Sequence, residues 1–429
     1  MELDQGNTAF ILIAAALVLL MTPGLAFFYG GLVKAKSVIS MMMMSFGAIG
    51  LIAVLWAVYG YAIAFSGEGG PGFVGIDGFL GINLGQIGLA AANDQVVSGE
   101  YAAAFPDFAF IAFQATFAII TVALISGAIA DRAKFGAWMI FAGVWATVVY
   151  FPVASWVFNF TLGDGGFVDG GWLTYGLQNA FGTGTIDFAG GTAVHINAGA
   201  AALALALVLG KRVGFAKGMG KPHNPPFVLL GAGLLWFGWF GFNAGSELAA
   251  DGIAALAFVN TIVAPAAALL AWLLVEKIKD GKPTSVGAAS GAVAGLVAIT
   301  PACGSLTPGW AILLGVIAGA VCALAIDLKF KLGFDDSLDV VGIHLVGGLI
   351  GTLYLGFFAN GTGLVYGADG KQLLVQAIAA FSVLIYSFVL AFIIGIIIEK
   401  TIGFRVKNED EVAGIDSVVH GEEGYVLAD

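Results

Sequence analysis

The chain has 429 residues, 59% of them hydrophobic and only 10% charged, with a formal net charge of −11. A soluble domain carries about 25% charged residues, so this composition excludes an ordinary water-soluble globule, and the acidic balance argues against a nucleic-acid partner. Cys303 and Cys322 are the two cysteines and supply neither a disulfide framework nor a metal-ligand spacing.

Apolar stretches long enough to cross a bilayer, about 20 residues each, recur from end to end. Taken in chain order, they predict eleven helical spans near 9–32, 38–66, 105–130, 135–158, 187–210, 226–246, 252–275, 284–303, 309–329, 339–359 and 371–399. The opening Met1-Glu2-Leu3-Asp4 has no basic residue, so the first span does not read as a cleaved signal peptide. With these spans, all but one of the 17 Lys and Arg fall on the same side of the membrane, Lys371 being the exception. By the positive-inside rule that side is the cytoplasm, which puts the N-terminus outside and the C-terminus inside. The long outer loops 67–104 and 159–186 contain acidic residues and no Lys or Arg. Residues 1–400 form the membrane domain and 401–429 a cytoplasmic tail.

Two histidines stand alone in apolar runs, His195 in the fifth span and His344 in the tenth. An ionisable residue inside a membrane is costly and is a functional candidate by default; the bland alternative is a helix-packing hydrogen bond. Each histidine has a glycine four residues on, Gly199 and Gly348, which lets a neighbouring helix approach. Two units of five spans, about 9–210 and 226–359, run in opposite directions because five is odd. An inverted repeat brings equivalent positions together near the midplane. The expected fold is therefore an all-α polytopic membrane protein with two inverted five-helix repeats and a final helix. The halves show no clear sequence identity, so the repeat rests on span count and histidine placement.

The motifs on these spans are long. The fifth reads Asp187-Phe-Ala-Gly-Gly-Thr-Ala-Val-His195-Ile-Asn197-Ala-Gly199, and the sixth ends Gly238-Trp239-Phe240-Gly241-Phe242-Asn243-Ala244-Gly245-Ser246. The eighth closes on Thr300-Pro301-Ala302-Cys303-Gly304, and the tenth opens Asp335-Asp336-Ser-Leu-Asp339-Val-Val-Gly-Ile-His344. In these segments the chain resembles the ammonium transporter family (Amt/MEP/Rh), from span one to the tail. The resemblance implies transport rather than catalysis, a homotrimer with one pore per subunit, and no cofactor. It implies that His195 and His344 are twin pore histidines, that Phe117 and Phe242 form a phenyl gate, and that Ser246 accepts a hydrogen bond at an outer cation site. It gives Trp239 a pore-lining place, Asp187 that of a buried carboxylate at the outer end of the fifth helix, and Thr300 that of a threonine near the inner pore. One departure concerns the outer site: the family's tryptophan position falls on Phe158 in Pro152-Val-Ala-Ser155-Trp156-Val-Phe158, with Trp156 two residues earlier. Either ring offers a cation–π face worth about 0.5–2 kcal/mol, best for Trp.

The chemistry of these residue types agrees. Potassium and ammonium are alike in size and charge, but only ammonium can lose a proton. A narrow apolar pore sets a large desolvation cost against any bare ion, while ammonia passes by exchanging hydrogen bonds. Hydrocarbon favours a neutral imidazole, with one donor and one acceptor nitrogen. A pair could guide ammonia and relay its proton.

Zinc wants three or four ligands, which neither histidine motif provides. A haem held between the two histidines needs room for a porphyrin. An ammonium sensor remains the main alternative, although no appended signalling domain is seen. Phe117 and Phe242 read blindly are two of 34 phenylalanines. Ser246 and Thr300 could satisfy helix backbone, Asp187 could cap its helix, and Asp335, Asp336 and Asp339 read as a solvated inner loop with a cap. The acidic tail composition suggests disorder. Its Gly414-Ile-Asp416-Ser-Val-Val-His420-Gly421-Glu422 run matches the family's tail signature, which implies packing under the pore, coupling between subunits and a PII-type signal protein as partner.

Overall fold

The computed structural model describes residues 3–66, 72–76, 78–90, 92, 105–163, 166–215 and 220–425. Among the described residues, ten helices are long and apolar enough to cross a membrane: Gln5–Leu32, Ala35–Ala64, Asp107–Ile129, Phe135–Phe158, Gly191–Leu209, Pro225–Glu247, Gly252–Lys279, Pro308–Leu332, Val341–Phe358 and Lys371–Thr401. Ser285–Ile299 is a shorter apolar helix between the seventh and eighth of these. Counted with it, the bundle has the expected eleven spans, called span one to span eleven below.

Span ends follow local chemistry. Asp4 accepts from the Asn7 amide, Asn224 from Phe227, and Asp251 from Ile253 and Ala254, so spans one, six and seven start on side-chain caps. Span eight was expected to reach residue 303 but ends at Ile299; Thr300 still has helical backbone (φ −52°, ψ −49°), and Pro301 beyond it has no amide hydrogen to continue the ladder. Span five was expected from residue 187 and starts at Gly191. Two short antiparallel hairpins, β1 (Phe73–Ile76) with β2 (Leu80–Asn83) and β3 (Phe160–Gly163) with β4 (Gly166–Gly170), occupy the loops on the face opposite the basic residues.

The two-fold relation between the halves is visible in the packing. Span one lies along span six, and span five along span ten, so repeat-equivalent helices meet at the centre. The histidine helices also start alike. Each opens with a wide π-helical turn, Gly191–Ile196 and Val341–Leu345, that carries the histidine. Each turn is capped by an aspartate eight residues ahead of its histidine. Asp187 Oδ2 accepts from the Thr192 and Ala193 amides, both at 3.0 Å, and Asp336 Oδ2 from Val341 at 2.7 Å. The Asp-x7-His spacing is thus an internal repeat that survives where general identity does not.

Close approach at the centre depends on Gly199, where a Cβ would lie 2.5 Å from the Leu345 amide nitrogen. At Gly348 it would lie 3.0 Å from the Gly191 carbonyl. Gly199→Val is expected to cost about 1–3 kcal/mol, the usual range for overpacking a tight core. A thermal unfolding midpoint in detergent equal to the wild type would contradict this contact.

Candidate functional site

His195 and His344 meet. Their Nδ1 atoms are 3.2 Å apart and the ring centroids 5.2 Å apart, nearly parallel at 27°. One Nδ1 must donate and the other accept, so two neutral rings here hold opposite tautomers. The outward Nε2 atoms then differ as well, one a donor and one an acceptor. His195 Nε2 is buried without a protein partner. The rings line a slit of about 10 Å³ whose remaining walls include Met21, Leu25, Phe28, Ile120, Leu124 and Val293. Rings in hydrogen-bond contact leave no space for a porphyrin between them, which removes the haem rival. Among the described residues no cluster of three or more His, Cys, Asp or Glu could hold a metal.

The rings are held from one side by Trp239, whose ring lies over His195 at 5.4 Å and 23°. Its Nε1 donates to Thr300 Oγ1 at 2.9 Å, and that hydroxyl donates to the Leu296 carbonyl at 2.7 Å. Thr300 therefore fixes the indole that fixes the histidine. Its place in the bundle corrects the sequence reading. The Phe188 amide bonds the Pro301 carbonyl at 3.1 Å, so Thr300 lies at the same end of the bundle as Asp187. It cannot serve the inner pore while Asp187 marks the outer end.

Above the slit, Phe117 and Phe242 stack with centroids 4.3 Å apart, and Phe242 lies 6.0 Å from His195. Both are buried. They separate the slit from a vestibule of about 470 Å³ on the face with the hairpins. Phe113, Phe117, Phe158, Asp187 and Ser246 all line this vestibule. The Ser246 hydroxyl donates to the Phe242 carbonyl at 2.7 Å, which leaves its oxygen lone pairs as acceptors. Phe158 occupies the aromatic position at the end of span four. Trp156 does not line the cavity: it stacks on Phe79 at 5.2 Å, meets Trp172 and Tyr386, and donates to the Phe79 carbonyl. The placement of Trp156 in the outer site is corrected accordingly. Phe113, edge-on to Phe117 at 4.8 Å, was missed from sequence. Its signal was the helical spacing of four residues from Phe117.

Asp187 is held in place by more than its cap. Gln376 of span eleven accepts from the Ile186 amide at 2.7 Å and donates to the Ile186 carbonyl at 2.8 Å. The last span thus clamps the segment that enters span five.

On the basic face, Asp335 and Asp336 are almost fully buried, not part of a solvated loop. The reason is Arg212, whose Nε and NH2 fork both Asp335 oxygens at 2.9 and 2.8 Å while NH1 reaches Asp131 at 3.1 Å. Burial raises the Asp335 pKa, but the Arg212 fork and the nearby Arg132 win and hold it below the usual carboxylate range. Burial pushes Asp336, which lacks such a partner, up to about 6. Asp339 pairs with Lys329 at 2.5 Å.

The tail is folded against this face as far as Tyr425. Asp416 accepts from the Ile39 and Ser40 amides at 3.0 and 2.8 Å and so caps the start of span two. Gly414 is in a conformation with φ of 129°, where a Cβ would lie 2.8 Å from Lys36 Cβ; Gly421 turns the chain with φ of 67°. His420 sits edge-on to Phe135 at 5.4 Å, and the Glu422 side chain is exposed. Glu411, which sequence reading passed over, is buried, accepts from the Val213 amide at 2.7 Å and pairs with Arg405 at 2.7 Å.

Comparison with known proteins agrees along the whole length. The Ammonium Transporter Family profile matches residues 9–425. An ammonium transporter of Mycobacterium tuberculosis is 55% identical, covering 99% of this chain and 91% of the relative. One from Bacillus subtilis is 43% identical, covering 99% of both. Among solved structures, Saccharomyces cerevisiae Mep2 superposes with a TM-score of 0.82 at 33% identity, over 95% of this chain and 91% of that one. A structure described as a sensor Amt protein superposes at 0.84 with 28% identity, over 96% and 98%. With eleven spans, repeat-related helices meeting at a histidine pair, and relatives matched over nearly their full length, this chain belongs to the ammonium transporter family.

Proposed function

We propose that the protein carries ammonium or ammonia across the plasma membrane, with the basic face in the cytoplasm and the vestibule outside. Ammonium enters the vestibule against the aromatic faces of Phe117 and Phe158 and the Ser246 oxygen. It loses its proton there, and ammonia passes Phe117 and Phe242 to the slit between His195 and His344. The observation that carries this reading is the 3.2 Å contact between two imidazoles in an apolar slit closed by a phenyl pair. A bare cation in such a slit loses its water and finds no charge to replace it. Ammonia needs one donor and one acceptor, which opposite tautomers present. The proton either stays in the vestibule or moves along the imidazole pair.

The test is electrical. Proteoliposomes given an ammonium pulse are expected to take up ammonium and to ignore potassium. A sustained current marks a proton or ammonium charge crossing; uptake without current marks ammonia alone. The likeness to a sensor Amt protein favours one second reading, an ammonium sensor with little net transport, and absence of any uptake would select it.

In the same reading the subunits form a homotrimer, and the tail transmits regulation, with a PII-type signal protein docking at the cytoplasmic face. Asp416→Ala removes the cap of span two at an expected cost of about 1 kcal/mol, and removal of residues 402–429 releases the contacts to spans two and five. Both are expected to lower ammonium uptake at equal membrane abundance. Unchanged uptake after truncation would leave the tail no coupling role.

A further inference from the structure

The vestibule holds a carboxylate that the reading above does not use. Glu247 follows Ser246 on the short turn Gly245–Glu247 that ends span six, and both line the 470 Å³ cavity. The chain turns sharply there because Leu248 adopts φ of 62°. A left-handed backbone is costly for a leucine and such strain gathers at functional sites. The turn keeps Glu247, Leu248 and Asp251 on the cavity wall.

The three vestibule carboxylates are differently engaged. Asp251 Oδ1 caps span seven, bonding the Ile253 and Ala254 amides. Asp187 Oδ2 caps span five, while its Oδ1 is buried in the wall with no protein partner. Glu247 makes no side-chain hydrogen bond or ion pair among the described residues, and no Lys or Arg lines the cavity. A partly buried carboxylate that shares one cavity with an unpartnered carboxylate oxygen and several phenyl rings is a setting that attracts a small cation bearing hydrogen-bond donors. Ammonium has four N–H bonds. Ser246 Oγ takes one, and the faces of Phe113 and Phe117 suit others. A neutral hydroxyl and π faces do not replace the charge stabilisation of the lost water.

The geometry points to Glu247 as the residue that makes the ionic contact to ammonium in the vestibule, setting the affinity of entry and its preference for a cation over neutral solutes. This inference rests on the transport reading. It assigns Glu247 a role in capture, before the phenyl pair, and none in passage through the slit.

The experiment is ammonium-evoked current or uptake by wild-type, E247Q and E247D protein in proteoliposomes, as a function of ammonium concentration at low and high ionic strength. A hydrogen bond to a charged partner contributes enough that E247Q is expected to raise the half-saturating ammonium concentration about tenfold, with the maximal rate little changed. E247D keeps the charge and is expected to stay within about threefold of wild type. The wild-type half-saturating concentration is expected to rise with ionic strength, and that of E247Q to rise less. If E247Q transports with the wild-type half-saturating concentration and the wild-type salt response, Glu247 has no role in capture and the transport reading stands. If the wild-type protein moves no ammonium, the transport reading fails and this one with it. Should E247Q not reach the membrane, E247A decides: it removes the charge as well, a rise of about tenfold in the half-saturating concentration is expected, and an unchanged value overturns the proposal.

Discussion

His195→Ala is expected to admit potassium to a pathway that the wild-type protein closes to it. The ring fills the centre of the slit, stacked between Trp239 and His344 and touching the latter at 3.2 Å. Its removal opens space for water beside Phe242. A cation that can keep part of its hydration shell faces a lower barrier, and each 1.4 kcal/mol removed is tenfold in rate. Potassium current in proteoliposomes is therefore expected to rise at least about tenfold over the wild-type background, with ammonium no longer preferred. His344→Ala should behave alike, because each ring supplies half of one contact. The double variant should add little to either single change, as residues sharing one interaction are not additive. Potassium exclusion in both single variants, with ammonium flux at the wild-type level, would place selectivity elsewhere.

Arg212→Ala is expected to be the most destabilising change on the basic face. The guanidinium joins Asp131 and Asp335 under near-complete burial, and removing one partner of a buried pair typically costs about 3–5 kcal/mol. The pairing ties the loop after span three to that before span ten, and its loss releases both. The variant should show strongly reduced folded yield, and a thermal midpoint close to wild type would refute the assignment. The same cluster sets an acid limit. The native pKa of Asp335 lies below its unfolded value, so its contribution is complete above about pH 4. It is lost as pH falls through the lower native value. The midpoint of the wild type should thus fall on acidification in that window, and that of Asp335→Asn should fall less.

The architecture was readable from sequence because bilayer thickness forces long apolar runs, and because basic residues sort to one face. The histidine pair was readable because an ionisable group in such a run stands out. What local pattern could not convey was direction in three dimensions. Trp156 and Phe158 lie two apart on one helix and face different neighbours; only the Phe79 hairpin, which occupies the indole, decides between them. Asp335 reads like an ordinary loop acid because its partner Arg212 lies more than a hundred residues away, and Asp336 because the Val341 amide it caps carries no sequence signal. The resemblance alone does not give Thr300 its depth; the direction of span eight does, and it brings Thr300 to the end where Phe188 bonds Pro301. The Asp-x7-His repeat was present all along, too sparse to register as identity between halves.

That repeat bears on which way molecules move. A traveller arriving from either side meets the same succession at the centre: an aspartate-capped wide turn, then an imidazole. In the proposed reading, the repeat gives both sides a like approach to the histidine pair, and net movement follows the gradients on the two sides. Asymmetry resides in what is not duplicated, the phenyl pair and the acidic antechamber on one side and the arginine-braced floor with its folded tail on the other.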